Sequence, residues 1–325
     1  MSVRLAVCDL GSSSFHLLVC DAEIDGSLRP VARRRHLLHL GRSLGANGII
    51  PPDRAAVAVA AARRLRRAID DTGPELVVAV ATAALRDASN GPQLVQRLEM
   101  ALETPIRVLD GPDEAALCYR GQRAGLWTDN GPMLGIDLGG GSLELIVGDF
   151  SGVLFATSVP IGAARLQGEL GIGEPLTTAG RELVVARTAD ALAPLITSIS
   201  EFSGAAIRTA ASGGTVRAMA RMATSRTWGG RSDPQVNQVE LPLGQVVELA
   251  RRIEHLDLAE RLALPGVSSR RASTVAIGAA VVAEVGALLN VDRFVVSEWG
   301  LREGALLCAL EQYGSNLDGG TSGEL

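Results

Sequence analysis

Two stretches of this chain lie over each other without a gap: CDLGSSSFHLLVCD at residues 8–21 and IDLGGGSLELIVGD at residues 136–149, an offset of 128. Seven of the fourteen positions are identical, namely Asp9/Asp137, Leu10/Leu138, Gly11/Gly139, Ser14/Ser142, Leu17/Leu145, Val19/Val147 and Asp21/Asp149. Apolar alternation alone is a property of all half-buried strands. It is a poor account of an Asp-Leu-Gly run, a Gly/Ser turn and a second strand all in register. The chain therefore reads as two homologous halves, each opening with a β-hairpin whose turn is made for close approach by a ligand.

Around the hairpins, strand and helix patterns alternate, which argues for an α/β layer architecture. A polar-to-apolar segment containing Arg33–Arg35 runs to about Leu40. Pro51-Pro52-Asp53 then opens a helix to about Asp71, with proline suited to a first turn. The run at 75–82 is a buried strand, followed by a helix at 91–103, a strand at 105–110 and a helix at 112–126. The turn-rich WTDNGP at 127–132 is the best linker and hinge candidate. Beyond the second hairpin come a strand at 153–159, a long helix at 178–202, strands at 205–211, 235–241 and 292–297, and helices at 243–255, 270–289 and 301–311. The expected division is 1–127, 128–313 and a disordered tail at 314–325, with the helix at about 301–312 a candidate to pack back on the first domain.

The 325 residues include no lysine. Schiff-base chemistry, lysine-dependent pyridoxal phosphate chemistry and a Walker A loop are therefore excluded. A formal charge of −5, spread along the chain, argues against a nucleic-acid-binding face. It leaves room for a polyanionic substrate held by local Arg, helix N-termini and a metal ion. The four cysteines, Cys8, Cys20, Cys118 and Cys308, form no C-x-x-C pair and no Cys/His cluster, so zinc and disulfide frameworks are not expected. No signal-peptide pattern opens the chain. The longest apolar tract, 275–291, contains Glu284 and is rich in Gly and Ala, so the expectation is a cytoplasmic protein without a membrane segment.

The turns Gly11-Ser12-Ser13-Ser14 and Gly139-Gly140-Gly141-Ser142 can offer successive backbone N–H groups and hydroxyls to a phosphate. A single such turn is equally a plain hairpin; two matched turns, each led by Asp, favour phosphate. Asp137 and Glu144 are seven residues apart across the second turn, which can bring two hard oxygen ligands to one place beside a phosphate, as Mg²⁺ requires. A solvent-facing strand residue is the bland alternative for Glu144. The first half carries His16 at the equivalent position, so the two turns are not equal. The second is the metal side, with Asp9 placed to hold metal-bound water. Glu114, in DGPDEA, fits either a helix-capping acid or a cleft carboxylate. Arg86 follows a buried strand and sits where α/β ligands bind, or is a surface Arg. Ser212-Gly213-Gly214-Thr215 is a third phosphate-loop candidate at a strand-to-helix junction. The remaining Arg runs read as solvated faces that could extend a path for a polyanion, and His36, His39 and His255 stay unassigned.

The duplicated hairpins resemble those of the actin/hexokinase/Hsp70 superfamily. More narrowly, DLGSSSFHLLV, ATAALRDASN, LDGPDEAALCYRG, DLGGGSLELIVG, SVPIGAARL and GLREGALL, in this order from residue 9 to about 308, resemble the exopolyphosphatase/guanosine-pentaphosphatase (Ppx/GppA) family. The resemblance implies two ribonuclease-H-like (actin-like ATPase) domains with a cleft between them, and hydrolysis of terminal phosphoanhydride bonds. It implies Glu114 as the base that activates water, Asp137 and Glu144 on Mg²⁺ (or Mn²⁺), Arg86 on substrate phosphates, and both Gly/Ser turns on phosphate oxygens. A homodimer is implied by the resemblance alone. The chain departs from the family pattern at Ser13, where Asn is usual, at Leu143, where Thr is usual, and at Ser273, where Asp is common. Its length stops short of the C-terminal helical region of longer members, so short polyphosphate is the expected substrate. Guanosine pentaphosphate is the alternative substrate and a non-catalytic polyphosphate or alarmone sensor the second alternative. A superfamily sugar or acyl kinase is disfavoured by the DGPDEA glutamate.

Overall fold

The computed structural model describes residues 2–43, 48–126, 131–202, 207–225, 235–269 and 271–317. They fall into two units, one made of the chain up to Gly121 together with the chain from Leu301 on, the other of Gln122–Gly300. The division lies a few residues ahead of the expected linker, of which Trp127–Asn130 are outside the described residues. It cuts a helix rather than a loop, because the helix that leaves the first sheet continues into the second unit without a break.

The first unit runs β1 (Ser2–Leu10), β2 (Ser14–Glu23), β3 (Leu28–Leu37), α1 (Leu40–Ser43), α2 (Pro52–Thr72), β4 (Leu76–Ala81), α3 (Ala83–Asp87), α4 (Gly91–Leu102), β5 (Ile106–Val108) and α5 (Gly111–Gly125). Its sheet has the order β3-β2-β1-β4-β5. The first three strands form an antiparallel meander, and β4 and β5 run parallel to β1 and to each other. This is the ribonuclease-H-like arrangement. Strand alternation sends Ala6, Cys8, Leu10, Phe15, Leu17 and Val19 into a core with α2 and α4. The opposite face, with Val3, Leu5, Val7, Leu18 and Cys20, packs under Ala305, Leu306 and Ala309 of the chain's last helix. Glycine makes that packing possible: a Cβ on Gly304 would stand 1.9 Å from the Leu117 carbonyl oxygen of α5.

The second unit runs β6 (Met133–Leu138), β7 (Leu143–Asp149), β8 (Gly152–Val159), α6 (Ala163–Glu169), α7 (Thr178–Leu192), α8 (Ile196–Phe202), β9 (Arg208–Gly213), α9 (Gly214–Thr224), β10 (Glu240–Pro242), α10 (Leu243–Glu254), α11 (Leu258–Leu262), α12 (Val275–Leu288) and β11 (Arg293–Val296). Its sheet order is β10-β11-β9-β6-β7-β8. Again a meander of three antiparallel strands is followed by two strands parallel to its first, with β10 added antiparallel at the far edge. The duplication read from fourteen residues thus extends to the whole five-stranded pattern of each unit.

Several elements differ from expectation. The Arg33–Arg35 segment is strand β3, at the sheet edge, where one solvated border tolerates Pro30 and exposed arginines; pairing slips opposite Val19/Cys20 as a bulge. The helix expected at 178–202 is two helices, because Pro194 has no N–H and clashes with the preceding turn. The strand expected at 235–241 shortens to Glu240–Pro242, with Gln238 in the left-handed region at φ 66°. The helix expected at 270–289 starts at Val275. The tail expected to be disordered from Gly314 is helical to Leu317 in the last helix, α13 (Leu301–Leu317), and 318–325 lie outside the described residues. Among the described residues no single helix is long and apolar enough to cross a membrane.

Candidate active site

Parallel strands bring their C-terminal ends to one border of a sheet, and the segments that follow them converge there. In the first unit, Asp9 is the penultimate residue of β1, α3 follows β4 after Thr82, and α5 follows β5 after Leu109 and Asp110. The Ser12 hydroxyl joins the first turn to this border by accepting the Ala84 N–H at 3.1 Å. Arg86 and Glu114, distant in sequence, meet here. The Arg86 guanidinium donates from Nη1 to Glu114 Oε2 at 2.7 Å and to the Leu109 carbonyl at 3.0 Å, and from Nε to Asp87 at 3.3 Å. Glu114 is buried, with its side chain 7% exposed, and Arg86 is three-quarters covered. Burial works against the Arg86 charge, but the bond to Glu114 and the attraction of Glu114 and Asp87 outweigh it and raise its pKa. Asp110 holds the start of α5 by accepting the Asp113 N–H. Glu114 is therefore in a helix's first turn, and its carboxylate binds a guanidinium.

Each hairpin turn is closed in the same way, by Gly11 N–H to the Ser14 carbonyl at 3.2 Å and by Gly139 N–H to the Ser142 carbonyl at 3.0 Å. These two glycine amides are thus not free for phosphate. The amides of Ser12 and Ser13, and of Gly140 and Gly141, have no partner among the described residues. Most carbonyls of the turns accept from backbone amides. Ser12 and Ser13 accept from Gly41, Leu38 and His39; Gly139 and Gly140 accept from Ala163, Ala164 and Arg165 at the start of α6. The Ser14 hydroxyl bonds His16 Nε2 at 2.8 Å and Arg35 Nε at 3.1 Å. Arg35, read from sequence as a solvated strand residue, belongs to this cluster. So does Arg302 of α13, whose Nη1 is 3.1 Å from His16 Nδ1.

In the second unit, sheet register sets four residues in one row. Asp137 pairs with Ser212 on one side and Glu144 on the other, and Glu144 pairs with Ser158. Residues directly opposite share a face of the sheet, so the seven-residue spacing does bring Asp137 and Glu144 together. Glu144 is 3% exposed and accepts from the Ser158 hydroxyl at 2.8 Å. Ser212 accepts from Gln122 Nε2 at 2.7 Å. Glycine crowds the Asp137 carboxylate: a Cβ on Gly213 would come within 3.0 Å of Oδ1, and one on Gly300 within 3.2 Å of Oδ2. Asp9, the matching residue of the first unit, pairs instead with Val80 and His16. Two hard carboxylate oxygens flanked by hydroxyls suit Mg²⁺ or Mn²⁺, which take one or two protein carboxylates and complete the shell with water and phosphate. Among the described residues no group of three or more His, Cys, Asp or Glu is placed to hold a metal.

The third loop lies at the junction of β9 and α9. Gly213 takes φ 100° to turn β9 into α9. Thr215 is buried, and its hydroxyl lies over Gly278 of α12, where a Cβ would be 2.5 Å away. The Arg271 guanidinium covers Gly214, with Nη2 2.2 Å from where its Cβ would stand. Arg271 was not picked out from sequence, and Gly162 was read only as part of the turn before a helix in the SVPIGAARL motif. Gly162 presses on the second turn so closely that a Cβ would fall 2.4 Å from the Gly140–Gly141 peptide, which gives the SVPIGAARL motif its function in holding that turn. A glycine just before a helix, after a matched hairpin, was the available signal.

The sequence model of the Ppx/GppA phosphatase family matches residues 19–313. Exopolyphosphatase 1 of Mycobacterium tuberculosis is 28% identical over 312 residues, 95% of this chain and 89% of that protein. A guanosine-5'-triphosphate,3'-diphosphate pyrophosphatase of Aliivibrio fischeri is 27% identical over 304 residues, 94% of this chain and 59% of that longer protein. Among solved structures, an exopolyphosphatase from Cytophaga hutchinsonii superposes with a TM-score of 0.84 at 25% identity, covering 99% of this chain and 100% of that one.

Proposed function

The chain belongs to the Ppx/GppA phosphatase family, and from that premise we propose that it is an exopolyphosphatase, a hydrolase that releases orthophosphate from the end of inorganic polyphosphate. The observation that carries the reading is the buried Glu114 carboxylate held at 2.7 Å by Arg86, at the border where the first phosphate-type turn also lies. Phosphoryl transfer asks a protein for positioning and charge neutralisation more than for covalent chemistry. Glu114 accepts a proton from water as the water oxygen attacks the terminal phosphorus. The bond from that phosphorus to the bridging oxygen breaks, and the bridging oxygen stays on the shortened chain. Arg86 fixes the orientation of Glu114 and offers guanidinium charge to substrate oxygens. The free amides of Ser12, Ser13, Gly140 and Gly141 and the Ser14 hydroxyl bind phosphate oxygens. Asp137 and Glu144 would hold Mg²⁺ or Mn²⁺ in the second unit; when bound, the ion neutralises phosphate charge.

Guanosine pentaphosphate is the second reading, favoured by the Aliivibrio fischeri relative. Orthophosphate release is measured from tripolyphosphate, long polyphosphate, guanosine pentaphosphate and ATP, in Mg²⁺ and in EDTA, for the wild type and Glu114→Gln. The expectation is metal-dependent release from polyphosphate that falls roughly 10²–10⁴-fold in the variant. Release from guanosine pentaphosphate alone selects the second reading. No release from any substrate, with polyphosphate still bound, makes the chain a sensor, and full activity in Glu114→Gln removes Glu114 as the base.

A further inference from the structure

The two hairpins share a backbone but carry opposite chemistry beside their turns. In the second unit the row reads Ser212–Asp137–Glu144–Ser158; in the first it reads Val80–Asp9–His16–Arg35. Where one half has a buried acceptor-only carboxylate, the other has an imidazole between two arginines. We propose that His16 and Arg302 are positioning residues that turn the Ser14 hydroxyl into an obligate hydrogen-bond donor, and that Ser14 with Arg35 thereby forms a metal-independent subsite for a phosphate of the substrate chain. The proposal rests on the phosphate-chain reading above and deepens it.

The direction of each hydrogen bond follows from which groups can donate. A guanidinium has only donors, so His16 Nδ1, 3.1 Å from Arg302 Nη1, is an acceptor. The imidazole then carries its hydrogen on Nε2 and donates it to Ser14 Oγ at 2.8 Å. Arg35 Nε donates to the same oxygen at 3.1 Å. A hydroxyl oxygen has two lone pairs and one hydrogen; here both lone pairs are taken, and only the hydrogen remains to be used. Ser14 is 3% exposed, and no acceptor for that hydrogen exists among the described residues. A buried donor left unmade is costly, and an oxyanion arriving at the turn, beside the free amides of Ser12 and Ser13, satisfies it. Two guanidiniums outweigh the one carboxylate of this row, Asp9, so the local field favours an anion. In the second row the same position, Glu144, favours a cation.

The test is a calorimetric titration of the full chain with inorganic tripolyphosphate in EDTA, which removes any metal contribution. The variants are Ser14→Ala, His16→Leu, His16→Gln and the Ser14→Ala/His16→Leu double. Ser14→Ala and His16→Leu are each expected to weaken binding roughly tenfold to a hundredfold, the size of a charge-assisted hydrogen bond. The double variant should bind no more weakly than the weaker single, because His16 acts through Ser14. His16→Gln, whose amide N–H replaces Nε2–H, should recover most of the loss, which a merely structural role of the ring would not produce. Full affinity in His16→Leu, multiplying losses in the double variant, or no tripolyphosphate binding by the wild type overturns the proposal. Tripolyphosphate bound as expected but never hydrolysed from any substrate would remove the exopolyphosphatase reading and leave this subsite standing.

Discussion

The Arg86–Glu114 pair is the contact on which most of the proposed chemistry depends, and it can be weighed by a double-mutant cycle. Arg86→Met keeps the aliphatic stem but removes the cation that lies 2.7 Å from a carboxylate only 7% exposed. Breaking a buried pair from one side costs about 3–5 kcal/mol, because a charge is left without its partner. The Arg86 side chain is itself 23% exposed, so water already screens part of the interaction and the low end, about 3 kcal/mol, is expected. Glu114→Gln keeps an acceptor for the guanidinium and loses only the charge assistance, about 1 kcal/mol. In the double variant no charge is stranded, so its loss should be about 2 kcal/mol, well under the sum of the singles. Urea unfolding of the four proteins reads these values, and a phosphate-release assay beside it reads the role in rate. Losses that add within about 0.5 kcal/mol would mean that the two groups do not interact, and the assignment of Arg86 as the residue that holds Glu114 would fall with them.

Gly162→Ala should destabilise the second unit by about 1–3 kcal/mol and lower phosphate release, since its Cβ would stand 2.4 Å from the Gly140–Gly141 peptide; wild-type melting and rate together would show that the turn does not need this close packing. Asp21 is held below the ordinary carboxylate range by its hydrogen bond from Arg4, with the charges of Arg4 and Arg29 adding to it. A lowered pKa stabilises the fold above the unfolded value of about 3.9 and ceases to do so as pH falls through the folded value. Asp21→Asn should therefore be less stable than the wild type in urea at pH 7, with the gap closing below about pH 4. Burial pushes the Cys8 and Cys20 thiols up to about 12, so iodoacetamide at pH 8 should leave both unmodified in the folded protein and label them after unfolding, as read by peptide mass spectrometry.

What could be read from the sequence was whatever the chain repeats or keeps local. The hairpins, their Gly/Ser turns and the Asp137–Glu144 spacing survive intact because a hairpin fixes its own register within fourteen residues. The Arg86–Glu114 contact was not legible as a contact, since it depends on β4 and β5 lying side by side, although each residue was a candidate separately. The packing of Thr215 against Gly278 was not legible either, because local sequence does not show that α12 crosses α9 there. The contacts of Arg302, Arg35, Arg271 and Gly300 were invisible for a related reason: each arrives from a different element. β3 was passed over because three successive arginines do not alternate, and only its place at the edge of the sheet makes that tolerable.

The absence of lysine has a consequence for how this site responds to pH. Every cationic side chain placed near the candidate phosphate positions is an arginine: Arg86, Arg35, Arg302 and Arg271. A guanidinium stays protonated throughout any practical pH range, and the bonds of Arg86 to Glu114 and Asp87 raise its pKa further. A lysine in the same place would lose its charge as pH rises past about 10, and earlier if buried. The grip on phosphate should therefore not loosen on the alkaline side through loss of a protein cation. Tripolyphosphate affinity measured in EDTA at constant ionic strength should not fall from about pH 8 to pH 10, a range over which the ligand only gains negative charge as its last proton leaves. If affinity instead falls tenfold or more over that range while the fold persists, a group other than these arginines is holding the chain of phosphates, and the first hairpin is not its seat.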